Sequence, residues 1–265
     1  MFMLPIHYAR GLYRVRMVIG YSNLLVISEK LEAVRAAFNA ISYHGEVLER
    51  YVQHNPLFKL SLTPVRVGWN APYVARLAAE AAEIAGVGPM AAVPGALAEV
   101  AAVSMVKSGA KVAVVEDGGE IAAISIRPIN VGVYAGSSPL SGRLGFKLEA
   151  ADTPIGIATS SATVSKAINF GVADAAVAIA DSAALADAAA KAICNAVIGD
   201  EAEEAVQRGL EAADEINCIR GALIVKGRYV GVKGKLPKLV AISGPLNELF
   251  KSVLMDTSLS PFYGV

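Results

Sequence analysis

Charge is scarce in this 265-residue chain: 18% of the residues are Asp, Glu, Lys or Arg, and 24 basic side chains face 24 acidic ones. Without a basic excess there is no general electrostatic pull toward nucleic acid or anionic lipid, and neither partner is expected. Cysteine is almost absent. Cys194 and Cys218 alone cannot build a disulfide scaffold or a zinc cluster, and a cytoplasmic setting is the simplest reading. Three histidines, His7, His44 and His54, leave few candidates for a catalytic imidazole or a multi-His metal site. No signal-peptide pattern is expected in MFMLPIHYARGLYRVRM, where Pro and Arg come early and no long apolar core precedes a small-residue cleavage site. The longest apolar run, residues 84–106, is interrupted by Pro89, Pro94, Glu99 and several glycines, so it reads as a buried turn and helix rather than a membrane span.

Apolar residues are abundant, at 54%, enough for a sizeable core, and residues 1–265 read as one domain. Residues 14–27 alternate as two strands around a turn at 20–23, and Ser28 stands where it would cap a helix with Leu31, Val34, Phe38 and Ile41 on one face. A second helix is expected over 46–54, stopped by Asn55-Pro56, and an extended stretch over 58–67. Pro72 and Pro94 open two further helices, closed by Gly86 and Gly109. Asp117-Gly118-Gly119 joins two strand-like runs, a hairpin signal. Residues 130–148 suggest a looser hairpin, 200–215 an acidic helix, and 219–242 three short strands. Residues 256–265 have no periodicity. The mixture indicates α+β, a mixed sheet with packed helices, and the Ala-lined helices favour a homo-oligomer.

The most informative stretch is 154–198. A short apolar run, 155–158, leads into the hydroxyls Thr159, Ser160, Ser161 and Thr163; a β-branched run follows, and Asp181 or Ser182 stands where a helix N-cap belongs. On that helix Asp187 and Lys191 are four apart on one face, a carboxylate and a cation close to a hydroxyl-rich loop. The same residues also suit an ordinary helix pair, and Gly118-Gly119 suits an ordinary tight turn. Asn169 and Asp174 read as cap or turn residues.

The string TSSATVSKAINFGVADAAVAIADSAALADAAAKAICNAV resembles the core motif of the ApbE superfamily, whose best-known members are FAD:protein FMN transferases. It looks closer still to an ApbE-related branch found in archaea and anaerobic bacteria. ERYVQHNPLFKLSLTPV, AGVGPMAAVPGALAEVAA and VVEDGGEIA agree, in the family's order, over about the first four fifths of the chain. The resemblance implies an ApbE-like α+β fold, a site that takes FAD or FMN, and a magnesium ion at the helix carboxylate. Carried over by position, Gly118, Gly119, Thr159, Ser160 and Ser161 would bind the cofactor and Asp187 the metal; Asp187 and Lys191, close to the hydroxyl loop, are the candidates for the chemistry. Three departures oppose flavin transfer in its usual form: Lys191 stands where the transferases have Thr, an H-x-I-D-P loop is missing, and Glu116-Asp117 replaces Asn before Gly-Gly. The expectation is therefore a protein that binds a phosphorylated or nucleotide-like small molecule near Thr159–Ser161, Asp187 and Lys191. The alternatives are an accessory protein in sulfide assimilation and homocysteine formation, which the resemblance suggests, and a magnesium-dependent FMN transferase.

Overall fold

The computed structural model describes residues 2–3, 6–164 and 168–242; the stretch 256–265, read above as aperiodic, lies outside them. The chain opens with β1 (Phe2–Met3), β2 (His7–Ala9), β3 (Leu12–Ile19) and β4 (Ser22–Ser28), the last two meeting at the expected turn. Then comes α1 (Leu31–His54), one helix of 24 residues where two were expected. The stripe Val34, Ala37, Ile41, Leu48 runs on past Gly45 into the core, and that burial outweighs about 1 kcal/mol of poor helix propensity at one glycine. Ser28 is not the helix cap. The cap position is Lys30, whose N–H donates to the Ser28 hydroxyl at 3.3 Å.

The stretch expected to be extended begins instead as a short helix, α2 (Pro56–Leu60). Proline suits a first helical turn, and the turn buries Phe58, whose ring meets Tyr51 edge-on at 5.6 Å. The helices α3 (Tyr73–Ala85) and α4 (Val93–Lys107) begin next to the expected prolines, with a 3-10 turn at Pro89–Ala92 between them. Residues 89–107 are long and apolar enough to cross a membrane, but α4 packs in the core, with nine of its residues buried.

The hairpin of β5 (Val112–Asp117) and β6 (Glu120–Ser125) turns on Gly118 and Gly119, at φ 75° and 122°, values that side-chain-bearing residues rarely adopt. The looser hairpin is β7 (Ile129–Gly132) and β8 (Leu144–Leu148). The rest of the order is β9 (Ile155–Ser160), β10 (Ala175–Ala180), α5 (Ala183–Ala196), α6 (Ala202–Glu215), β11 (Ile219–Lys226), β12 (Tyr229–Gly234) and β13 (Lys238–Ala241).

Among the described residues the strands form two antiparallel sheets. The large one has the order β1-β3-β4-β5-β6-β9-β10-β11-β12, with β2 also on β3; the small one is β13-β8-β7. One face of the large sheet is covered by helices, so Ala113, Val115, Ala122, Ala158, Ala176 and Ala178 lie beneath them. The other face packs on the small sheet through Val112, Val114, Ile155, Ile157 and Val177 against Phe146 and Leu148. The architecture is α+β, as expected. Small residues dominate the helix side because α4 and α5 lie close against the strands.

Candidate functional site

The site is built around α5. Ser182 caps it, its hydroxyl accepting the Leu185 N–H at 3.3 Å. A second cap comes from α4: Glu99 accepts from the Ser182 hydroxyl at 2.7 Å and from the Ala183 N–H at 2.8 Å. The favour is returned one turn along, where Asp187 accepts the Gly95 N–H at 2.9 Å in the first turn of α4. Each helix thus supplies the carboxylate that the other's N-terminus lacks. Gly95 permits the crossing, since a Cβ there would lie 2.3 Å from the Ala183 carbonyl oxygen. Sequence reasoning missed Glu99 and Gly95; a glycine directly after a helix-opening proline was the available signal.

Asp187 and Lys191 share a helix, as expected, but are not an ion pair. Lys191 donates to the Ile168 carbonyl at 3.0 Å and to Asn169 Oδ1 at 2.8 Å. Asn169 in turn donates to the Ser161 carbonyl at 2.8 Å, and the Ser160 hydroxyl donates to Asn169 Oδ1 at 3.3 Å. Asn195, also on α5, accepts the Phe170 N–H at 3.0 Å. The polar side of α5 therefore pins the β9–β10 connection, and Asn169, read from sequence as a cap or turn residue, is its central link.

The hydroxyls expected as one loop are divided by strand geometry. β9 continues through Ser160, and alternation along it sends Thr159 to the side of Ile157 and the small sheet, and Ser160 to the side of Ala158 and the helices. Ser161 accepts the N–H groups of Thr163 and Val164 at 3.2 and 3.1 Å and so turns the chain. Gly119 does come near: a Cβ there would be 3.7 Å from the Thr159 carbonyl oxygen.

Carboxylates accumulate on the helix side, at the ends of β5 and β6. Asp117, buried, is pushed up to about 6 by loss of water, against hydrogen bonds from Ser22 and Asn23 and with some help from Glu116. Burial raises Asp187 to about 8 despite the Gly95 N–H and the Lys191 ammonium, and Asp117 adds to the rise. Glu120 keeps some residue surface, yet its carboxyl stands well above the usual range, first through desolvation and then through the charges of Asp187, Asp117 and Glu116. Lys191 is lowered by burial, against the pull of nearby Cys194, Asp187 and Glu120. Glu116 is raised by burial, with Arg16 opposing.

Magnesium at Asp187, implied by the resemblance, meets a mixed donor set. One Asp187 oxygen caps α4, an ammonium lies in the same neighbourhood, and among the described residues no three His, Cys, Asp or Glu side chains are grouped to hold an ion. These residues do not form a cage for a resident metal. Cys194 is buried and its thiol is pushed up, first by burial, which leaves it without the thiolate character a sulfur carrier requires. Cys218 is exposed.

Beside the pinned connection lies a cavity of about 500 Å³ lined by Thr163, Gly171, Val172, Asp174, Lys226 and Gly227, among others. The Asp174 carboxylate is held there by the Thr163 hydroxyl at 3.3 Å and the Gly227 N–H at 2.7 Å.

The chain is an ApbE-like α+β protein with relatives in archaea. The chain belongs to the family described as AbpE bacteria, whose model matches residues 6–218. A UPF0280 protein of Methanosarcina acetivorans is 43% identical over 206 residues, 78% of this chain and 80% of its own. One from Methanopyrus kandleri is 41% identical over 236 residues, 88% of this chain and 95% of its own. Among solved structures, the apo flavinyl transferase ApbE of Pseudomonas stutzeri is similar with a TM-score of 0.49 at 12% identity, over 90% of this chain and 96% of that one.

Proposed function

We propose that this chain binds a phosphorylated, nucleotide-like small molecule, carried in as its magnesium complex, where β6, β9 and α5 meet. The observation that carries the reading is that Asp117, Glu120 and Asp187 lie within electrostatic reach of one another, with the Lys191 ammonium acting on Asp187 and Glu120. Burial raises these carboxyls first and their mutual repulsion adds to it, and one ammonium does not neutralise three. Magnesium is commonly held by one or two carboxylates together with the phosphate oxygens of its substrate. An incoming magnesium–phosphate group would meet Glu120 and the second oxygen of Asp187, while Lys191, the Ser160 hydroxyl and the backbone at Gly118 and Gly119 receive the phosphate. The cavity at Thr163 and Asp174 has the size of a small-molecule site and suits the base or ring of such a ligand. Positioning and charge neutralisation are what phosphoryl chemistry asks of a protein, and Asp187 and Lys191 are the residues placed to supply them.

Calorimetric titration with FAD, FMN, ATP and AMP, with and without magnesium, tests this. The reading expects binding of at least one nucleotide that strengthens with magnesium in the wild type and is weakened at least tenfold in Asp187→Asn. A Lys191→Thr variant, which removes the ammonium, should raise the magnesium requirement. Absence of binding by any of the four nucleotides in either condition overturns the proposal. AMP release from FAD with a Thr-containing acceptor peptide would show that binding proceeds to flavin transfer.

A further inference from the structure

The cavity beside the β9–β10 connection holds a carboxylate and an ammonium as well as room for a ring: Asp174 and Lys226 both line it. The wall that carries them is braced from several elements. The Asp174 N–H donates to the Val225 carbonyl on β11 at 2.9 Å, and the Val172 N–H donates to the Val197 carbonyl at the end of α5 at 2.7 Å. A Cβ on Gly171 would fall 1.8 Å from the Cys194 carbonyl oxygen, so the chain there lies directly on the last turn of that helix.

The Asp174 side chain is oriented in turn. Its Oδ1 accepts the Thr163 hydroxyl at 3.3 Å and its Oδ2 the Gly227 N–H at 2.7 Å. A carboxylate offers about four lone-pair sites on its two oxygens, so each oxygen keeps one for a ligand. Among the described residues no cation forms an ion pair with it. The Lys226 ammonium makes one long hydrogen bond among the described residues, to the Val172 carbonyl at 3.5 Å, and an ammonium has three donors.

We propose that this cavity selects a guanine base, an inference that rests on the nucleotide reading above and names its substrate class. Guanine carries two adjacent donors on one edge, the ring N1–H and the 2-amino group, which match the two free acceptor sites of one oriented carboxylate. Its O6 and N7 are acceptors for an ammonium beside that carboxylate. Adenine offers one donor on that edge, and its ring nitrogen would turn a lone pair toward the second Asp174 oxygen. A flavin ring has its N–H between two carbonyls, which a carboxylate repels. The buried acceptor left unpaired is what discriminates between such rings.

Calorimetric titration with the magnesium complexes of GTP, ITP, XTP and ATP tests the assignment. The wild type should bind GTP about tenfold or more tightly than ATP, which is held through its phosphates, and than ITP, which lacks only the 2-amino group. Asp174→Asn exchanges one acceptor oxygen for an amino group and should prefer XTP, whose 2-oxo group accepts where guanine donates. Asp187→Asn should weaken GTP and ATP alike. A wild type that binds ITP or ATP as tightly as GTP overturns the inference and leaves the nucleotide reading standing, as does a GTP preference that Asp174→Asn does not change. Absence of binding by every nucleotide overturns both. If Asp174→Asn does not fold, the wild-type ratio of GTP to ITP affinity decides.

Discussion

Asp187 has two employments in one carboxyl group. One oxygen closes the N-terminus of α4 through Gly95, and burial holds the group protonated up to a pKa of about 8, against an ordinary 3.8. A carboxyl whose folded pKa lies above its unfolded value binds its proton more tightly in the folded chain, so its contribution to stability is fully present at acid pH and falls as pH rises from about 4 toward 8. Asp117, raised to about 6, acts in the same direction over the lower part of that window. Urea midpoints measured from pH 5 to 8 should therefore decline with pH in the wild type and decline less in Asp187→Asn, whose amide oxygen still accepts from Gly95. An equal slope in both proteins would show that Asp187 is not held protonated. Lys191→Met removes two bonds to the β9–β10 connection; the side chain is partly in water, so the loss should be about 1 kcal/mol in denaturant unfolding, with faster amide exchange at residues 168–171. That Asp187 and Lys191 share a helix face was readable from their spacing. Where each side chain turned was not, because Gly95 and Asn169 approach from distant parts of the chain.

At the scale of elements, the crossing of α4 and α5 decides the geometry of the site. Ala at position 95 would gain about 1 kcal/mol of helix propensity, but its Cβ would press on the Ala183 carbonyl, a backbone atom unable to swing aside. Overpacking should win, and Gly95→Ala should cost about 1–3 kcal/mol and weaken nucleotide binding by displacing Asp187. Glu99→Ala strips the second cap from α5 and should cost about 1–2 kcal/mol, while Glu99→Gln, which keeps an acceptor, should cost less than half of that; chemical denaturation of the three variants checks both. The elements themselves were largely legible, since the prolines at 72 and 94, Gly86 and Gly109, Ser182 and the Asp117-Gly118-Gly119 turn signal locally. The errors lay where burial overrode local chemistry. Residues 31–54 run through a glycine as one helix because their apolar stripe continues, and Phe58 draws a helical turn out of a stretch that alternates like a strand.

For the whole molecule, equal numbers of positive and negative side chains place the isoelectric point near 6.8, so solubility should be lowest close to neutral pH and rise on moving two units away, measurable by precipitation in polyethylene glycol. The sequence by itself determined the α+β class, the order of nearly every element and the family, because periodicity, turn residues and motifs are properties of neighbours along the chain. It also named the two residues of α5 on which the proposed chemistry rests. Only the tertiary structure decided that Thr159 and Ser160 face opposite sides of a sheet, that Asp117 and Glu120 come within electrostatic reach of Asp187, that Glu99 and Asp187 cap one another's helices, and that Trp69 stands in water. Those are relations between residues up to about ninety positions apart, and they depend on how closely glycine and alanine let two helices and a sheet approach.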